Sequence, residues 1–167
     1  GLGELETLPN ILRNKFGETP LSQAWPLLTL DQLDEMATEY LQDASCKTNE
    51  TVLVDKQLGN YQFVGVIKKL FPKAKIIHCT RNPLSMGISC FSQKLPPHTN
   101  PWASKLHSIG HFYNEYMRMM RHWKACLGDD IFEVSYEELV TNQEQTTRKI
   151  LDFCGLEFDP SCMEFWK

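Results

Sequence analysis

The sequence predicts an α/β fold, a parallel sheet flanked by helices, on three observations. Short β-branched or apolar runs at residues 51–54, 75–80 and 131–135 alternate with stretches of helical periodicity. The first two runs are separated by Phe63, Val66, Ile67 and Leu70 at helical spacing. A strand, helix, strand unit of that length favours parallel pairing through a right-handed crossover. Polar residues also follow the ends of the runs directly: Asp55-Lys56, Arg81-Asn82 and Tyr136-Glu137. In open parallel sheets the carboxyl edge is where ligands bind.

The elements follow in order. Residues 6–16 suit a short helix, interrupted near its start by Pro9. Thr29-Leu30-Asp31-Gln32 is a capping box that opens a helix to about Gln42, with Leu33, Met36, Ala37 and Tyr40 on one face. Residues 43–50 are polar and read as a loop, and 51–54 as a strand. Residues 61–70 form the next helix, which Phe71-Pro72 ends before the strand at 75–80. Asn82 is a good N-cap and Pro83 suits the first helical position of a helix to Gln93. A proline-rich connection, 95–101, leads to a long helix over about 103–127 that Gly128 stops. The strand at 131–135 runs directly into Tyr136-Glu137-Glu138-Leu139. A last helix starts at Thr141 or Asn142, holds Ile150, Leu151 and Phe153, and stops at Gly155.

At 167 residues the chain is expected to be one domain, 1–167, large enough for a substantial core. Hydrophobic residues at 42% and charged residues at 23% fit an ordinary globular composition. A net charge of −4 argues against broad nucleic-acid binding while leaving room for a local basic pocket. No apolar run is long enough to cross a bilayer, and no secretory leader pattern opens the sequence. The six cysteines form no C-x-x-C pair and no zinc spacing, so a reduced, cytoplasmic setting is expected.

The richest chemistry lies at residues 75–89. A buried strand feeds a loop carrying Arg81, and Asn82 caps a helix on which Ser85 and Ser89 share one face. A guanidinium, free backbone N–H groups and serine hydroxyls are expected to converge there near the positive end of a helix dipole. That combination suits a phosphate. Two other residues have plain readings of their own: Lys56 as a solvated loop lysine, and Tyr136 as a core aromatic.

With these residues in view, the chain resembles the sulfotransferase family. It is most like the branch of protein-tyrosine sulfotransferases and bacterial sulfotransferases fused to tetratricopeptide repeats. The likeness rests on an ordered set spanning essentially the whole chain. The set is Val54-Asp55-Lys56, residues 71–78, Arg81-Asn82-Pro83 with Ser89, residues 134–140 and residues 151–156. The resemblance implies a P-loop-NTPase-like parallel sheet, and an enzyme transferring a sulfuryl group from 3′-phosphoadenosine 5′-phosphosulfate (PAPS) to a hydroxyl or amine without a metal. It implies Arg81 and Ser89 on the 3′-phosphate, with Tyr136 helping to hold the 3′-phosphoadenosine part. It implies Lys56 near the bridging oxygen, and Glu4 as the general base that takes the acceptor proton, with Glu6 as the competing carboxylate. The acceptor class stays open among tyrosine peptide, carbohydrate and small-molecule hydroxyls. Tetratricopeptide repeats in a longer parent chain are a further implied neighbour.

The family's P-R-S-G-T-like loop for the 5′-phosphosulfate is not among these residues, nor is the basic segment that follows the last helix. The expectation is therefore a piece of a longer sulfotransferase, incomplete at both ends and weak or inactive alone. A non-catalytic domain that binds 3′-phosphoadenosine nucleotides is the alternative. A P-loop kinase is disfavoured because G-x-x-x-x-G-K-[ST] is absent. His107, His111 and Glu115 fall four apart, yet the glutamate of a zinc-protease helix is replaced by Ser108, so they read as an exposed helix face.

Overall fold

A computed structural model describes residues 3–46, 50–93, 95–98 and 100–164. The chain is mixed α/β and mostly helical, and it divides into two compact units, Gly1–Ala74 and Lys75–Lys167.

The first unit is helical among its described residues. It comprises α1 (Thr7–Phe16), α2 (Leu21–Ala24), α3 (Leu30–Ser45) and α4 (Val64–Leu70), with 3₁₀ turns at Trp25–Leu27 and Leu58–Gln62. The expected capping box is present: Gln32 N–H donates to Thr29 Oγ1 and Thr29 N–H to Gln32 Oε1. Helix α3 runs one turn past the expected stop at Gln42. Its apolar face packs as the periodicity requires. Met36 is buried in a cluster with Leu8, Ile11, Leu12, Val66 and Leu70, and Leu33, Ala37 and Tyr40 pack against it. Each such side chain contributes roughly 1.5–3 kcal/mol on leaving water.

One expectation fails here. Residues 51–54 lie outside any strand, and Val52 and Val54 are about half exposed. β-Branched composition favours a pleated surface only where a neighbouring strand supplies ladder partners. Among the described residues none pairs with this stretch. The strand–helix–strand unit drawn through 51–80 is corrected accordingly.

The second unit holds the sheet. Its order is β1 (Ile76–Thr80), α5 (Pro83–Ser92), α6 (Leu106–Leu127), β2 (Ile131–Ser135), α7 (Tyr136–Thr141) and α8 (Gln143–Cys154). β1 and β2 pair in parallel with Ile76 opposite Ile131 and Thr80 opposite Ser135. The crossover therefore runs through α5 and α6, the long connection a parallel pair needs. Ile131 and Val134 are buried, as are Ile109 and Met120 of α6. Cross-strand partners His78 and Glu133 bond through Nδ1 and Oε2 at 3.1 Å, and the other ring nitrogen of the buried His78 meets the Tyr116 hydroxyl. Gly155 ends α8 in the left-handed region, φ 69° and ψ 32°, as a C′ glycine should.

The run Tyr136–Thr141, to whose residues 136–139 the sequence assigned no element, is a short helix capped by Ser135, whose Oγ accepts from Glu138 N–H at 3.3 Å. Among the described residues no helix is long and apolar enough to cross a membrane, and no group of three or more His, Cys, Asp or Glu is placed to hold a metal ion. Glu115 instead pairs with Arg118 at 2.5 Å.

Candidate nucleotide and transfer residues

Register brings the first pair of site residues together. Thr80 and Ser135 are the last partners of the parallel ladder, so the next residues of both strands, Arg81 and Tyr136, emerge side by side at the carboxyl edge. The Arg81 guanidinium lies over the Tyr136 ring, 4.8 Å from its centroid. Both side chains are exposed. Among the described residues the guanidinium makes no hydrogen bond or ion pair, so its N–H donors are unspent. Tyr136 is thus a stacking surface at the sheet edge, not a core aromatic; it is 48% exposed.

Asn82 caps α5 as expected, its Oδ1 accepting from Leu84 N–H at 3.0 Å and Ser85 N–H at 3.1 Å. This corrects the expectation of free amides. The Asn82 side chain takes two donors of the helix terminus, and the N–H of Asn82 itself goes to Glu137 Oε1 at 2.8 Å. An anion arriving at this turn meets side-chain donors, with those amides already engaged. Ser89 lies two turns further along α5, half-buried, and accepts a long 3.5 Å contact from Gln93 Nε2, which leaves its hydroxyl proton for another acceptor.

Glu137 was quoted within a motif but given no role by the sequence. Its second oxygen accepts from the Ser135 hydroxyl at 2.9 Å. The Asn82 N–H, the Ser135 hydroxyl and the nearby Arg81 charge hold its carboxyl below the usual carboxylate range. The parallel register held the signal for it. Two residues beyond Ser135 comes within reach of two residues beyond Thr80.

The remaining pair lies in the first unit. Lys56 Nζ forms an ion pair with Glu4, and Lys56 N–H donates to Gly3 O at 2.8 Å, so Lys56 is tied twice to the segment Gly3-Glu4. The pair is exposed, which limits its worth to about 0–1 kcal/mol. Glu6 is engaged elsewhere, accepting from Gln57 Nε2 at 2.7 Å. Asp55, beside Lys56, is a hub: it accepts from Tyr40 Oη at 2.9 Å, Asn60 Nδ2 at 3.1 Å and Leu5 N–H at 3.4 Å. Burial first, and the Asp55 charge second, push the Tyr40 hydroxyl well above its ordinary value. Asp55 fixes the backbone on either side of the Glu4–Lys56 pair, a role that a bare Asp-Lys dipeptide does not announce.

Comparison with known proteins gives two results. The sulfotransferase family model matches residues 15–160. The chain is also 32% identical over 178 aligned positions to an uncharacterized protein of Aquifex aeolicus (strain VF5), covering 99% of this chain and 23% of that protein. The chain thus spans about a quarter of that relative's length. The ordered motifs, the α/β architecture and a family match over most of the sequence agree, and the chain belongs to the sulfotransferase family.

Proposed function

We propose that this chain carries the 3′-phosphate end of a PAPS site, together with a base and a cation for sulfuryl transfer to an acceptor hydroxyl. The observation that carries the reading is Arg81: a guanidinium stacked on Tyr136 with its N–H edge unspent at the carboxyl end of a parallel sheet. A planar fork of this kind suits a phosphate better than a lysine would. The Ser89 hydroxyl, eight positions on, adds a neutral donor. Both fit an oxyanion, and the exposed Tyr136 face fits the flat part of a nucleoside.

When bound, PAPS supplies the sulfuryl group. Arg81 and Ser89 hold the 3′-phosphate. Lys56 takes up negative charge on the departing oxygen, as positive groups do in phosphoryl transfer. Glu4 accepts the proton of the attacking hydroxyl. The sulfur–oxygen bond to the acceptor forms as that to 3′,5′-ADP breaks. Support for pairing these two roles comes from the Lys56–Glu4 contact, which keeps a cation and a carboxylate together while Glu6 is occupied by Gln57.

Calorimetric titration of the chain with 3′,5′-ADP and with 5′-AMP tests the reading. A clear preference for 3′,5′-ADP is expected. Equal binding of the two would overturn the assignment of Arg81 and Ser89.

A further inference from the structure

We propose that Glu137 is a positioning residue for the Arg81 site: its carboxylate ties the β1–α5 turn to the start of α7 and holds the guanidinium on the Tyr136 ring. The role rests on the nucleotide reading above and goes beyond it, because neither motif spacing nor the family match gives Glu137 a task.

The parallel ladder ends at Thr80 opposite Ser135, so beyond that point no strand pairing fixes Arg81 relative to Tyr136. An exposed arginine–tyrosine stack is too weak by itself to order a loop against the entropy of two freed residues. What replaces the ladder is a side chain. Glu137 Oε1 accepts the Asn82 N–H at 2.8 Å, continuing the cross-strand bonding two residues past the last backbone pair. Oε2 accepts the Ser135 hydroxyl at 2.9 Å, so the carboxylate is anchored on the β2 side while it grips the β1 side.

Ser135 serves twice, since its oxygen also caps α7 through Glu138 N–H. The neighbouring carboxylate, Glu138, is neutralised by Lys149 of α8 at 3.0 Å and leaves the turn to Glu137. The carboxylate also consumes the turn's Asn82 amide, and Asn82 Oδ1 consumes those of Leu84 and Ser85. Anion recognition is thereby passed from backbone amides to the Arg81 and Ser89 side chains. A guanidinium fixed in direction recognises a phosphate; a guanidinium swinging on a loose turn does not.

Two variants separate this role from a general structural one. Glu137→Gln keeps an oxygen that accepts from Asn82 N–H; Glu137→Ala keeps none. Hydrogen exchange of the Asn82 amide, read in the ligand-free chain, should be protected in wild type and in E137Q and fast in E137A. In titrations, E137A should weaken 3′,5′-ADP about tenfold and leave 5′-AMP within about twofold, whereas E137Q should stay within about threefold for both. Unchanged Asn82 exchange in E137A, or unchanged or tighter 3′,5′-ADP binding by E137A, would overturn the proposal. If wild type shows no preference for 3′,5′-ADP, the nucleotide reading fails and takes the phosphate role with it. The exchange experiment still reports whether Glu137 holds the turn.

Discussion

Replacing Asp55 by alanine removes the acceptor on which three segments of the first unit converge. The Tyr40 hydroxyl loses a 2.9 Å bond to a carboxylate, Asn60 Nδ2 a 3.1 Å bond, and Leu5 N–H a longer contact at 3.4 Å. A bond to a charged partner is worth about 1.5–3 kcal/mol, and a half-buried donor left unpaired costs a comparable amount. The Tyr40 bond is assigned about 2 kcal/mol, with about 1 kcal/mol shared by the other two after discounting for partial exposure and length. The expected loss is therefore about 3 kcal/mol. With a urea slope of about 2 kcal/mol/M, the unfolding midpoint falls by about 1.5 M. Tyr40→Phe should cost about 1 kcal/mol, because Asp55 keeps its other partners. The double variant should lose less than the sum, since the two residues share one bond. A D55A midpoint within about 0.3 M of wild type, or strict additivity with Y40F, would refute the hub. The hub also has a pH signature. The Tyr40 hydroxyl titrates higher in the folded state than its ordinary 10.0. Its contribution is thus fully present below pH 10 and is lost as pH rises through the folded value.

Two further outcomes follow from the backbone and from the acid range. Gly155→Ala places a Cβ on a residue at φ 69° where no heavy atom lies within 4 Å, so the cost is backbone strain alone, about 1 kcal/mol in chemical denaturation. The Asn82 amide proton shift should follow the ionisation of Glu137 with a midpoint below the ordinary glutamate value of 4.5, so the tie is present above that pH and opens as pH falls through the lower folded value. In E137Q the same titration should vanish.

Much of this was legible in the residues, for local reasons. Thr29 with Gln32, Asn82 with Pro83, and Gly155 announce helix boundaries through capping chemistry that acts over three or four positions. The strands at β1 and β2 were legible because each is a short apolar run bounded by polar residues. Residues 51–54 have the same composition and form no strand, because pairing depends on a partner that composition does not encode. The site divides in the same way. Arg81 after a strand and Ser89 on a capped helix were legible as an anion cradle by residue type and position, whereas Tyr136 alone read as a core aromatic and drew its expected role from the family resemblance. Glu137 and Asp55 each reach a partner far along the chain, Asn82 at 55 positions and Leu5 at 50, and those partners become visible only once the register and the fold of the first unit are known. The free amides expected at α5 were the opposite error. An asparagine recognised as a cap must itself consume the donors it caps.

Recognition of the 3′-phosphate by Arg81 is tested most sharply by the ratio of 3′,5′-ADP to 5′-AMP affinity in wild type and in Arg81→Ala. A guanidinium–phosphate contact worth about 1.5–3 kcal/mol corresponds to a preference of roughly 10- to 100-fold. Wild type should show that preference, and in R81A it should collapse to within about twofold through weaker 3′,5′-ADP binding with 5′-AMP unchanged. Equal losses for both nucleotides, or a preference that survives in R81A, would contradict it.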